Sequence, residues 1–252
     1  RELPARFYKQ AGVAGVEDGY GVMLDGRPVK TPAKNSLLVP SEDLAQAIAH
    51  EWENQAERID PFTMPLTRLC HVAIDRMGAA REGAAAEIAK YASTDLLCYR
   101  SEDAELSARQ ASAWDRYLSW SRTALDAPLE ATQSLTPIAQ PEASLKALEN
   151  RALALDDLRL TGLVSAAPIL TSAVLAFALL EEEDDGEAVW AASRLEEDFQ
   201  TERWGEDHEA AMAAANDDDV IGLFHGPAPV VKRVRAAHGP PDKGRQGRAC
   251  FT

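Results

Sequence analysis

Apolar positions first alternate, then recur at helical spacing. Tyr20, Val22 and Leu24 alternate with Gly21 and Met23, the period-2 pattern of a half-buried strand. Asp25-Gly26 follows at once, a dipeptide suited to a tight hairpin turn whose two central residues need positive φ. Residues 27–31 form the returning strand, and Pro28 assigns it an edge position. Residues 37–39 add a further strand. Before the hairpin, residues 6–10 read as a short aromatic-centred strand and Gly12 and Gly15 as a turn region. The sum is a small, twisted antiparallel sheet. Ser41 is placed as an N-cap, with Glu42 and Asp43 in the first turn where the helix dipole favours acids. Leu44, Ile48, Trp52, Gln55 and Ile59 share one stripe, predicting a helix over 42–57 packed across the sheet.

Beyond Asp60-Pro61 the pattern is helical: 66–77, 82–93, 104–126, 141–155, two halves around Pro168, and 187–215. Breaks are expected at Gly78, Pro128, Pro137-Ile138 and Gly186. No internal repeat is visible, which argues against a solenoid. The predicted class is therefore α+β. A small α+β domain spans 1–60, a larger all-α domain 61–216, and an irregular basic tail 217–252, rich in Gly and Pro with six Lys or Arg from Lys232 onward.

Residues 160–180 carry no charge and reach the length of a membrane span. Gly162, Ser165, Pro168, Thr171, Ser172 and five alanines dilute that run, and Pro168 suits a break between two helices. The reading adopted is a buried helix pair rather than a span.

At 252 residues, 46% apolar and 27% charged, the composition is globular. The net charge of −15 disfavours nucleic acid and anionic membrane surfaces and leaves a basic or apolar protein partner compatible. The acids gather at 181–185 and 217–219, as solvated helix ends or loops commonly do. Cys70, Cys98 and Cys250 lack metal-like pairing, which suits a reducing compartment. No charged start with an apolar core marks a signal peptide.

Catalytic patterns are weak. No phosphate loop, dinucleotide fingerprint, C-x-x-C or G-x-S-x-G occurs. His50-Glu51 lacks the second histidine of a zinc helix, because position 54 is Asn. Glu202, Glu206, Asp207, His208 and Glu209 superficially resemble a metal site, yet Glu206 and His208, two apart on a helix, diverge. No metal and no cofactor are predicted. One carboxylate does stand out. Ala188, Ala192, Leu195 and Phe199 form an apolar stripe, and Glu202, seven residues after Leu195, lies on it. Either it is partly buried beside a cation, with Arg203 or an arginine from another helix, such as Arg100, as candidate partners, or it is presented next to an apolar patch. Trp190 and Trp204 share a second face, where a core role competes with a binding role; Trp52 is assigned to the core against the sheet.

Several motifs carry a resemblance: RFYK (6–9), DGRPVKTP (25–32), HEW with Gln55 (50–55), MPLTRL (64–69) with AIDR (73–76), TDLLCYR (94–100) and ERWGED (202–207). In this order and spacing the chain resembles the F-type ATP synthase assembly chaperones that act on the α subunit of the catalytic head. The resemblance runs from about residue 6 to about residue 215. It implies two domains, no enzymatic activity, no cofactor, and a binding protein that shields the unassembled α subunit until the β subunit replaces it. It also implies partner-binding roles for Glu202, Trp204 and Asp207, with Gly205 shaping the helix end. The family occurs in mitochondria and alphaproteobacteria, and the Ala- and Asp-rich composition favours a bacterial cytoplasm over the mitochondrial matrix. A monomer suffices. The chain departs from the family at 216–219, which breaks the last helix. The alternative is a small-molecule enzyme using Glu202 with His208 or Asp95.

Overall fold

The computed structural model describes residues 2–134, 136–181 and 183–205. Strand β1 (Ala11–Val16) pairs antiparallel with β2 (Gly19–Leu24) from Ala11↔Leu24 to Val16↔Gly19. Gly12 and Gly15 thus lie inside a strand, not in the expected turn: β2 supplies a complete ladder for β1, and α1 covers it. On the opposite side of β2, β3 (Arg27–Pro28) pairs with Leu24 and Met23, and β4 (Leu38–Val39) with Tyr20 and Gly21. The predicted hairpin turn is present, with Asp25 at φ 48° and Gly26 at φ 77°. Residues 6–10 form no strand. Arg6 holds them instead, donating to the carbonyls of Tyr8, Lys9, Glu53 and Gln55.

Helix α1 (Glu42–Glu53) begins at Ser41, whose Oγ accepts from Leu44 N at 3.2 Å. It stops four residues short of the predicted end because Gln55 leaves the stripe to fold the chain back. Its amide donates to Glu51 O and Thr63 Oγ1, and its Oε1 accepts from Asp60 N at 2.7 Å. Glu51 then caps the next helix, α2 (Pro65–Val72), accepting from the amides of Leu66 at 2.6 Å and Thr67 at 2.8 Å. This explains locally why HEW, Gln55 and MPLTRL occur together: they form one joint.

A π-helical turn (Ala73–Met77) carries α2 directly into α3 (Gly78–Ser93). Gly78 was expected to break the chain, yet it holds helical angles of φ −52° and ψ −38°. Packing of this turn and α3 against α6 (Asp157–Leu170) outweighs glycine's weak propensity. Asp75 on the π turn ties the hairpin to the helices, receiving bonds from Thr31 Oγ1, Ala33 N and Asn35 Nδ2. Helices α4 (Ala104–Ala124) and α5 (Glu142–Leu153) follow.

The uncharged segment is a helix pair, but its break is not at Pro168, which lies in the last turn of α6. The chain turns at Thr171, φ 49°, and Ser172 Oγ caps α7 (Ala173–Glu181) by accepting from Leu175 N at 3.0 Å. Proline so close to a helix end removes one terminal hydrogen bond and leaves the rest intact. Every residue from 173 to 180 is buried, with α3, α4, α6 and α8 (Gly186–Trp204) packed around it. A helix apolar on all faces needs such enclosure. Among the described residues, no helix is long and apolar enough to cross a membrane.

Two apolar clusters result. One runs from Tyr8 through Leu44 and Ile48 to Cys70; the other from Met77 through Trp114 and Phe177 to Ala192.

Candidate partner-binding face

The end of α8 lies against the start of α4, where arginines cross between them. Arg109 on α4 donates to Glu202 Oε2 at 2.7 Å and to Glu105 Oε1 at 3.0 Å, and its guanidinium sits 5.0 Å from the Phe199 ring centre. Arg203 donates to Asp103 Oδ2 at 2.7 Å and lies 5.7 Å from Phe199 and 5.6 Å from Trp204. Phe199 is buried, so the arginines roof an apolar anchor. Asp103 has two tasks. It caps α4 through the amides of Glu105 and Leu106, and these bonds, Leu106 foremost and then Arg203, hold its carboxyl below the usual range.

Glu202 therefore has a cation partner from another helix, as expected, but it is Arg109 rather than Arg100. Arg203 reaches Asp103 instead, and Arg100 pairs with Asp115 at 2.7 Å beneath the Trp114 ring. Glu202 also leaves the buried stripe, its side chain 61% exposed. Lower on α8, Trp114 Nε1 donates to Ala192 O at 2.8 Å and Gln110 Nε2 to Glu196 Oε1. Trp204 does not enter the core: it is 72% exposed, one residue before Gly205 ends the helix at φ 83°. Trp52 is half-buried, stacked edge-on to Tyr8 at 5.7 Å. Asp207, Glu206, His208, Glu209, Cys250 and the residues from 216 onward lie outside the described residues.

Asp95, proposed as a partner in the enzymatic alternative, is fully buried and used for architecture. Its carboxylate accepts from Leu97 N and Val174 N, fastening the start of α7, and burial pushes it up to about 6. Cys70 and Cys98 are buried thiols that burial pushes up to about 12, far from nucleophilic reactivity. Among the described residues, no three His, Cys, Asp or Glu side chains gather to hold a metal.

Phe7, Phe62 and Val72 are also exposed. No periodic pattern marks them. For Phe62 the available signal is Asp60-Pro61, a turn that leaves the following side chain outside, where Arg68 covers its face at 5.3 Å.

Comparison with known proteins places this arrangement. Residues 5–122 match the family described as ATP12 chaperone protein. A point mutant of Atp12p from Paracoccus denitrificans is 35% identical, superposes with a TM-score of 0.82, and aligns over 93% of this chain and 98% of that one. Atp12 from the same organism gives 36% identity, a TM-score of 0.77, and coverage of 93% and 95%. The Atu1473 protein of Agrobacterium tumefaciens gives 36%, 0.80, 92% and 85%. By class, then, the protein is an assembly chaperone of ATP synthase. Its family is plain from both sequence and fold: the chain belongs to the ATP12 chaperones.

Proposed function

We propose that this chain binds the unassembled α subunit of the ATP synthase catalytic head and keeps it from aggregating until the β subunit takes its place. It does so as a monomer in a bacterial cytoplasm, by binding alone and without turnover, and Glu202, Trp204 and Asp207 form part of the contact. The observation that carries the reading is the exposed Trp204 beside Glu202 at the end of α8, braced from beneath by Arg109 and Arg203. An indole in water with its backbone already rigid loses little conformational freedom on binding, and such aromatics dominate contact energy. The neighbouring carboxylate gives the patch a sign, so that a basic rim on the client selects it.

The test is co-expression with the α subunit alone, scoring soluble complex by co-purification, beside a Glu202→Lys variant. Retention of the α subunit by the wild type and its loss in the variant support the reading. A folded wild type that captures no α subunit overturns it.

A further inference from the structure

A recess lies beside the Asp25-Gly26 hairpin. It is a groove of about 570 Å³ walled by Phe7, Tyr8, Leu24, Val29 and Trp52, with Arg27 and Lys30 among its rim residues. Phe7 is 74% exposed and stands edge-on to Tyr8 at 5.3 Å, and Tyr8 stands edge-on to Trp52 at 5.7 Å. The aromatic row thus passes from solvent into the sheet core. Trp52 keeps a buried Nε1–H without an acceptor, although the Tyr8 hydroxyl donates to the Trp52 carbonyl.

The rim has the opposite sign to the chain as a whole. Arg27 and Lys30 make no ion pair among the described residues. The carboxylate that lines the same groove, Asp25, is held below its ordinary range by the amides of Gln10 and Lys9, with the Lys9 and Arg27 charges adding to them. It stays ionised, so Arg27 and Lys30 leave the lining with one net positive charge. Screening over about 8 Å at physiological salt lets this local positive excess outweigh the more distant part of the −15.

We propose that this groove seats an extended segment of the client polypeptide in which apolar side chains alternate with carboxylates. The identity of the client rests on the function proposed above; the chemistry of the segment does not. An apolar side chain enters between Phe7 and Trp52, and its acidic neighbours meet Arg27 and Lys30. The protein then holds its client at two places of opposite sign, acidic at the end of α8 and basic beside the hairpin, which fixes the orientation of the bound chain.

The probes are two peptides carrying fluorescein on the N-terminal amine, Glu-Leu-Asp-Phe-Glu-amide and Lys-Leu-Lys-Phe-Lys-amide, read by fluorescence anisotropy. The acidic peptide is expected to bind about tenfold more tightly, a difference of about 1.4 kcal/mol. An Arg27→Glu/Lys30→Glu double variant with unchanged circular dichroism should abolish or invert the preference, and Phe7→Ser should weaken the acidic peptide. Equal binding of both peptides, no binding of either, or a preference the double variant leaves intact overturns the proposal. Capture of the whole α subunit runs in parallel. A wild type that captures none overturns the client assignment, whereas the peptide comparison reads the groove by itself.

Discussion

Arg109 and Glu202, 93 positions apart in sequence, share a hydrogen bond of 2.7 Å between α4 and α8. Both side chains are largely in water, 42% and 61% exposed, so the pair orients Glu202 more than it stabilises the fold. Glu202→Lys should therefore change the unfolding free energy by less than about 1 kcal/mol in urea denaturation. The exchange of partners, Arg109→Glu with Glu202→Arg, separates the two roles. It restores an internal ion pair, yet capture of the α subunit should stay lost. Recovery of capture by the exchange would show that Glu202 acts only through Arg109.

Trp204→Ala should leave thermal stability within about 0.5 kcal/mol of wild type, since the ring is exposed. Affinity for the α subunit should fall at least about tenfold, as for a truncated aromatic hot spot. A fall in stability with unchanged affinity would return Trp204 to a packing role.

Glu51→Ala should lower stability by roughly 2 kcal/mol, because the Leu66 and Thr67 amides at the start of α2 lose their acceptor. For a chain of this size that is a fall in Tm of about 4–8 °C by calorimetry. An unchanged Tm would mean that another group caps α2.

Asp95 sets a pH dependence of defined sign. Its carboxyl titrates at about 6 when folded, against an ordinary 3.8. Between these values the folded state holds a proton that the unfolded chain has released. Its contribution is therefore full below about pH 4 and falls, by on the order of 3 kcal/mol, as pH rises through 6. Asp95→Asn lacks this titration. The stability of wild type relative to the variant should be larger at about pH 4.5 than at about pH 7.5, measured by urea unfolding. A difference that is constant or grows with pH would contradict the buried, proton-holding carboxyl.

Local signals were legible where the physics is local. The β2 strand, the Asp25-Gly26 turn and the Ser41 cap depend on a few neighbouring residues, and each lies where alternation, positive φ or a short side chain puts it. Gly12, Gly15, Gly78 and Pro168 misled because their preferences are worth about 1–3 kcal/mol, which a paired strand, a packed helix or a nearby terminus can offset. The candidate site was half legible. Residue 202 stood out from the stripe of α8, and the resemblance named the same position. Its partner did not stand out, since nothing local distinguishes Arg109 from Arg100 or Arg203 as the cation across the helix crossing.

The amino-acid sequence by itself determined the α+β class, the order of elements and the enclosure of 173–180, because hydrophobic period and charge exclusion act along the chain. Only the tertiary structure decided which side of α8 faces water and that Trp204 stands outside the core. It also decided that Arg27 and Lys30 rim one groove with Phe7 and Trp52. Those outcomes depend on how helices and strands rotate against one another, and that rotation is set by packing between residues distant in sequence.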